Sequence, residues 1–186
     1  WRPLISNITT VDIIILTLNE EKYIKKCLES VLSFIKPPNC SLKIYIVDGG
    51  STDKTLEKIK GIQHDSLVVL HNEKKIQSAG MNLAIRQSRG DFVMRLDAHT
   101  IFPDDYLKNC LDTALRTKAD NVGGVINTLP GSDKYGAKIV QALTSHFFGV
   151  GNSGFRIGSE EGDSDTVPFG FFRRDIFNQV GLFDER

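Results

Sequence analysis

Apolar residues along the chain fall into short unbroken runs, separated by longer segments of helical period. Asp12 to Thr17 (DIIILT) is one such run, the pattern of a strand buried on both faces. From Glu20 to Phe34, the positions Tyr23, Ile24, Cys27, Leu28, Val31 and Leu32 share one helical face, and Pro37-Pro38 ends the helix. The alternation continues with strand Leu42 to Val47, a helix opened by Ser51-Thr52-Asp53 and reaching Ile62, and strand Leu67 to Leu70. Next come helix Ser78 to Ser88, strand Phe92 to Leu96, helix Tyr106 to Lys118 behind Pro103 and two acids, and strand Asn121 to Ile126. Beyond these the pattern predicts a helix over Ala137 to Phe148 and a mobile loop over 149–165, rich in Gly, Ser and acids. A short strand at Thr166 to Gly170 and a helix from Arg173 to Val180 complete the pattern.

Strand–helix–strand units with short connections predict an α/β fold: a Rossmann-like, mostly parallel sheet flanked by helices, in one domain over residues 1–186. Ligands of such sheets bind beyond the carboxyl ends of the strands, near the switch in strand order. Those ends are polar here: Thr17-Leu18-Asn19-Glu20, Asp48-Gly49-Gly50-Ser51-Thr52-Asp53 and Asp97-Ala98-His99. A core that only had to fold would not need acids and amides on three loops of one rim.

Composition narrows the function. Lys plus Arg equals Asp plus Glu, 23 each, which argues against a nucleic-acid-binding surface. No apolar run reaches the length of about 18 residues needed to span a bilayer. The run Val11 to Leu16 is short and carries Asp12, so it does not read as a secretory leader. The three cysteines lack CxxC spacing, and Cys27 and Cys110 fall on apolar helical stripes, as expected of buried thiols in a reducing cytosol.

The rim clusters suggest chemistry. Asp48 stands where a carboxylate can accept hydrogen bonds from a base N–H or a ribose hydroxyl, while Ser51, Thr52 and Asp53 are also explained as helix caps. Asp97 and His99, at i and i+2, can aim at one divalent cation shared with a diphosphate, and an imidazole suits Mn²⁺ better than Mg²⁺. His99 is equally read as a strand-end cap or a neutral donor to phosphate. Ser78-Ala-Gly-Met-Asn82 opens a helix behind Lys74 and Lys75; its N–H groups suit a phosphate, or Asn82 simply lies on the polar face.

Taken in order, TLNE (17–20), VDGGSTDKT (47–55), SAGMNLAI (78–85), GDFVMRLDAHTIFPDDYL (90–107) and VPFGFFRRDIFNQVGLFDE (167–185) resemble the blocks of family-2 inverting glycosyltransferases of GT-A type. With GVGNSGFR (149–156) and DTVPFG (165–170), the chain is most similar to the succinoglycan type of bacterial exopolysaccharide enzyme. The resemblance implies transfer of a sugar from a nucleoside-diphosphate sugar, a UDP-sugar first, to a hydroxyl of a glycan or lipid-linked acceptor. It implies that Thr17, Asn19, Glu20 and Asp48 bind the nucleotide-sugar, that Asp97 holds the metal–diphosphate, and that Pro168, Phe169 and Gly170 face the acceptor; the residue reading adds Ser51 and Asn82 to the nucleotide-sugar site and His99 beside Asp97 as a ligand of Mn²⁺ or Mg²⁺. The usual D-x-D motif has His99 at its third position here. The family's base comes from an acidic pair several residues after the FDE block, so it is expected past Arg186, with Asp184 and Glu185 as substitutes and little transferase activity without it. The expected place of work is the cytoplasm, with room for the full-length protein to associate with the inner face of the membrane. Two other classes compete. A nucleotidyltransferase would need a glycine-rich loop after the first strand, which TLNEEKY lacks; a non-catalytic nucleotide-binding or scaffold domain would show no metal-dependent nucleotide binding.

Overall fold

The central strand, β1 (Thr9–Thr17), is hydrogen-bonded along both edges to parallel partners, and residues on both of its faces are buried. This explains the unbroken apolar run: Val11, Ile13, Ile14 and Ile15 are all fully buried. The protein's structure, a computed structural model, describes residues 8–127, 161–164 and 166–186. After β1 come α1 (Ile24–Leu32), β2 (Cys40–Asp48), α2 (Thr55–Lys60), β3 (Leu67–His71), α3 (Gln77–Gln87), β4 (Phe92–Asp97) and α4 (Tyr106–Thr117). The short β5 (Asn121–Val122), β6 (Phe171–Arg173) and α5 (Ile176–Val180) come next. Strand order is β3-β2-β1-β4-β6-β5; β1 to β4 are mutually parallel, and β6 runs antiparallel to β4 and β5.

The chain moves outward from β1 to β3, then returns across the sheet to β4, so the order switches between β1 and β4. Right-handed crossovers put α1 and α2 on one face and α3 on the other. On the α3 face, Ile14, Tyr45, Val47 and Val93 pack against Met81, Ala84 and Ile85, and Phe177 and Phe183 cover the edge of this cluster. The helix approaches closely: a Cβ on Gly80 would stand 3.0 Å from Leu16 Cδ2 and 3.3 Å from Val47 Cγ1. Helices α1 and α4 bury i, i+3, i+4, i+7 stripes, Ile24-Cys27-Leu28-Val31 and Leu107-Cys110-Leu111-Ala114. Both stripe cysteines are buried free thiols, as their positions predict.

Polar links fix the end of the sheet away from the rim. Asp12, buried in β1, accepts the N–H groups of Arg89 (2.7 Å) and Gly90 (2.5 Å). Arg174 donates to Ser88 Oγ and to the carbonyls of Ile85 and Ser88, satisfying the carbonyl end of α3.

The observed elements differ from the predicted ones in several places, among them the last helix, which starts at Ile176 rather than Arg173 because Arg173 closes β6. Helix α1 starts at Ile24, because residues 18–23 form the rim loop. Helix α2 starts at Thr55, because the Ser51 hydroxyl turns back to Asp48 instead of capping. The strand expected at Asn121 to Ile126 stops at Val122. The C-terminal strand is Phe171–Arg173 rather than Thr166 to Gly170, and there Phe171 stacks on Phe92 with ring centroids 4.9 Å apart. The chain forms two compact units, 1–122 with 170–186, and 123–169. In the second, Gly123 lies against Val167 and Pro168, where a Cβ would come within 2.4 Å of Val167 Cγ1. The helix expected at Ala137 to Phe148 lies outside the described residues, as does the loop at 149–165 apart from the exposed residues 161–164.

Asp12→Ala leaves two backbone N–H groups without their acceptor in the interior. Loss of one such partner costs about 1–3 kcal/mol. The expected outcome is an unfolding free energy lowered by that amount, read as a lower urea midpoint at unchanged slope; an unaltered midpoint would show that these two bonds do not stabilise the fold.

Candidate functional site

Three loops leave the carboxyl ends of β1, β2 and β4, and the register sets those ends side by side: Thr17 opposite Asp48, and Leu16 opposite Asp97. The first two loops are laced together. Asn19 N–H donates to Ser51 Oγ (2.9 Å), and Asn19 Oδ1 accepts the Thr52 N–H (2.8 Å). Asn19 has φ of 56°, a left-handed conformation that asparagine adopts more readily than most residues. Glu20 N–H donates to Thr55 Oγ1 (2.8 Å), and Glu21 N–H to Asp53 Oδ2 (3.1 Å).

Asp48 is 1% exposed, and its carboxylate folds back on its own loop. It accepts the N–H of Gly50 (2.9 Å), the N–H of Ser51 (3.0 Å) and the Ser51 hydroxyl (2.5 Å). Its first observable task is therefore to shape the turn, in which Gly50 has φ of 90°. His71 Nδ1 lies 4.0 Å from Asp48 Oδ2, and a Cβ on Gly50 would meet Lys75 Cε at 3.3 Å. His71 and Lys75 thus join the Asp48 loop. The sequence signal for His71 is its place at the end of β3, in register with Asp48. The Thr17 hydroxyl is buried with no hydrogen-bond partner among the described residues.

At the end of β4, Arg95 donates to Asp97 Oδ1 at 3.1 Å. Arg95 is not among the residues singled out by sequence, although the i, i+2 spacing of a strand puts it on the same face as Asp97. Two residues on, His99 Nδ1 lies 3.0 Å from Glu20 Oε1, which joins the first rim loop to the third. Cys27 sits beneath both: its thiol donates to the Asp97 carbonyl, and burial first, then the charges of Asp97 and Glu20, push its pKa up to about 12. That thiol is inert.

The residues present fit a divalent cation only in part. Among the described residues no group of three or more His, Cys, Asp or Glu could hold a metal. Asp97 and His99 together offer one carboxylate and one imidazole, so a cation here would draw its other ligands from a diphosphate and water. That is an ordinary way of holding Mg²⁺, and the nitrogen donor favours Mn²⁺.

The C-terminal candidates are tied elsewhere. Asn82, 1% exposed, accepts the Phe183 N–H (2.9 Å) and donates to the Phe183 carbonyl (2.8 Å) and Glu185 Oε1 (2.7 Å). Its amide holds residues 183–185 against α3. Hydrogen bonds from Asn82 and then Lys74 hold the Glu185 pKa below its ordinary value, and Arg186 does the same for Asp184. Each is a poorer proton acceptor for it. Pro168 and Phe169 belong to the 123–169 unit, whereas the Gly170 carbonyl accepts the Arg95 N–H at 2.9 Å.

The family model for glycosyl transferase family 2 matches residues 12–181. The chain is 37% identical over 184 residues to dolichyl N-acetyl-alpha-D-glucosaminyl phosphate 3-beta-D-2,3-diacetamido-2,3-dideoxy-beta-D-glucuronosyltransferase of Methanococcus voltae, covering 94% of this chain and 56% of that protein. It is 32% identical over 177 residues to succinoglycan biosynthesis protein ExoA of Rhizobium meliloti (strain 1021), covering 93% and 52%. The chain thus spans about half the length of these relatives. Among solved structures, S. aureus TarS 1–349 in complex with UDP superposes with a TM-score of 0.68 at 19% identity, over 94% of this chain and 50% of that one. The mannosyltransferase PcManGT from Pyrobaculum calidifontis, in complex with GDP-Man and Mn²⁺, gives 0.68 at 21%, over 94% and 47%. These superpositions establish the fold.

Asn82→Ala removes all three bonds to the C-terminal segment. The two bonds to the Phe183 backbone are each worth about 0.5–1.5 kcal/mol, so hydrogen exchange at the Phe183 N–H is expected to accelerate roughly fivefold or more. The Glu185 part of the latch has its own pH dependence. Because the folded pKa is lowered, that stabilisation is fully present above the ordinary value of 4.5 and is lost as pH falls through the folded value. Unchanged Phe183 exchange in the variant would show that the segment is held by its phenylalanines alone.

Proposed function

The chain belongs to glycosyl transferase family 2, and from that premise we propose that it binds a nucleoside-diphosphate sugar at the β1–β2–β4 rim and transfers the sugar to a hydroxyl acceptor. The observation that carries this reading is the convergence of Asp48, Asp97 and the Glu20–His99 pair on neighbouring strand ends at the switch in strand order. Asp48 holds the Gly49–Asp53 loop in shape against the base or ribose, with Thr17, Asn19 and Ser51 as its neighbours. Asp97 and His99 hold Mn²⁺ or Mg²⁺, which when bound supplies positive charge against the departing diphosphate. Pro168, Phe169 and Gly170 face the acceptor. The acceptor oxygen attacks the anomeric carbon, the bond to the diphosphate breaks, and a carboxylate takes the hydroxyl proton, so the configuration inverts.

The donor we favour is a UDP-sugar, since TarS is known in complex with UDP and UDP-GlcNAc; the GDP-Man complex of PcManGT makes GDP the comparison. The acceptor is a glycan or a lipid-linked glycan, a choice supported by the dolichyl phosphate in the Methanococcus voltae relative's name and by the succinoglycan role of the Rhizobium one. Such an acceptor suits work on the cytoplasmic side, at the inner face of a membrane. No helix among the described residues is long and apolar enough to cross one.

Calorimetry with UDP and GDP, each with and without Mn²⁺, tests the reading. UDP is expected to bind more tightly with Mn²⁺ than without. Asp97→Ala is expected to lose that metal-dependent gain, about tenfold or more for one charge-assisted contact. Equal UDP–Mn²⁺ affinity in the variant would remove Asp97 from the site.

A further inference from the structure

We propose that Glu20 is a positioning residue for His99: its carboxylate accepts the Nδ1–H of the imidazole, so that Nε2 is the ring nitrogen that would face a cation. This rests on the proposed role of His99 at the metal–diphosphate. Sequence resemblance makes Glu20 a nucleotide contact, but its Oε1 lies 3.0 Å from His99 Nδ1, and the side chain is only 21% exposed. A bare carboxylate at a rim that receives a diphosphate would repel it. A carboxylate that holds an imidazole instead contributes through that ring. Histidines that ligate metals usually donate their other ring N–H to a carboxylate or carbonyl, which fixes the tautomer and the ring orientation.

Both partners stand on anchored backbone. The Glu20 N–H donates to Thr55 Oγ1, and its carbonyl accepts the N–H groups of Tyr23 (3.0 Å) and Ile24 (2.9 Å) at the start of α1. On the other side, Ala98 is buried and the Asp97 carbonyl accepts the Thr100 N–H (3.2 Å), fixing the turn that carries His99. These bonds are made by backbone atoms of Glu20, so changing its side chain leaves them in place. The His99 ring is itself more than half exposed, so its orientation comes from Glu20 rather than from packing. The departure from D-x-D is thereby compensated: an aspartate at this position would need no orienting partner, whereas an imidazole has two nitrogens, and one must be assigned to each neighbour.

The test has two readouts. Long-range ¹H–¹⁵N spectra of the metal-free protein, with the His99 signals assigned through His99→Gln, report which ring nitrogen is protonated. The expected result is Nδ1–H with bare Nε2, lost in Glu20→Ala. Protonation on Nε2, or on both nitrogens, overturns the proposal. The second readout is Mn²⁺ affinity in the presence of UDP. Loss of such an outer partner typically costs about 10- to 100-fold in metal affinity, expected for Glu20→Ala. Glu20→Gln keeps an oxygen acceptor and should recover most of that loss; failure to recover it overturns the positioning role. If Asp97→Ala weakens Mn²⁺ while Glu20→Ala does not, the inference fails and the functional reading stands. If UDP binding is indifferent to Mn²⁺ throughout, the functional reading fails and takes the inference with it.

Discussion

The double-sided pairing of β1 is the constraint on which the rest depends. A strand with parallel neighbours on both edges must send every connection over the sheet, and it forces the carboxyl ends of β1, β2 and β4 to one side. The apolar interior of β1 then leaves polar residues nowhere to stand except beyond its ends. Polar side chains gather on the rim because the paired, buried stretch that holds Ile13 to Ile15 stops at Thr17, Asp48 and Asp97.

The rim is held by its own polar groups. Asn19, Glu20 and Glu21 on the first loop exchange hydrogen bonds with Ser51 through Thr55 on the second, and Glu20 reaches His99 on the third. Each backbone N–H that a side chain accepts here would otherwise need water or a ligand. The loops are therefore held in shape by their own hydrogen bonds, and little ordering entropy would be left to oppose a ligand at this rim.

Much of this is legible in the sequence. The run DIIILT has the length and β-branched content of a strand covered on both faces, and the i, i+3, i+4, i+7 stripes around Cys27 and Cys110 mark helices with one buried face. The rim acids stand out because a polar cluster succeeds the apolar run of β1, of β2 and of β4. Pairings between side chains distant in sequence are not legible. Nothing in TLNE says that Glu20 will meet a histidine 79 residues away, or that Asn82 will clasp Phe183. The start of α2 is hidden for a related reason: the Ser51 hydroxyl donates to Asp48 and accepts the N–H of Asn19, a residue 32 positions away, where a helix cap would have accepted an N–H of its own helix. The last strand is shifted because Phe171, which looks interchangeable with Phe169 in sequence, is the ring that fits on Phe92.

Strands β5 and β6 are antiparallel neighbours, with Asn121 opposite Phe172 and Val122 opposite Phe171. The 123–169 unit therefore leaves and re-enters the sheet at adjacent strands, about 4.8 Å apart. Any insert whose ends match that gap leaves the register of the ladder as it is, and closing a longer loop adds only about 0.6 kcal/mol for each doubling of its length. The ladder fixes only the two ends of that segment, so the length and composition of the chain between Val122 and Gly170 are free to change without altering the register of the sheet.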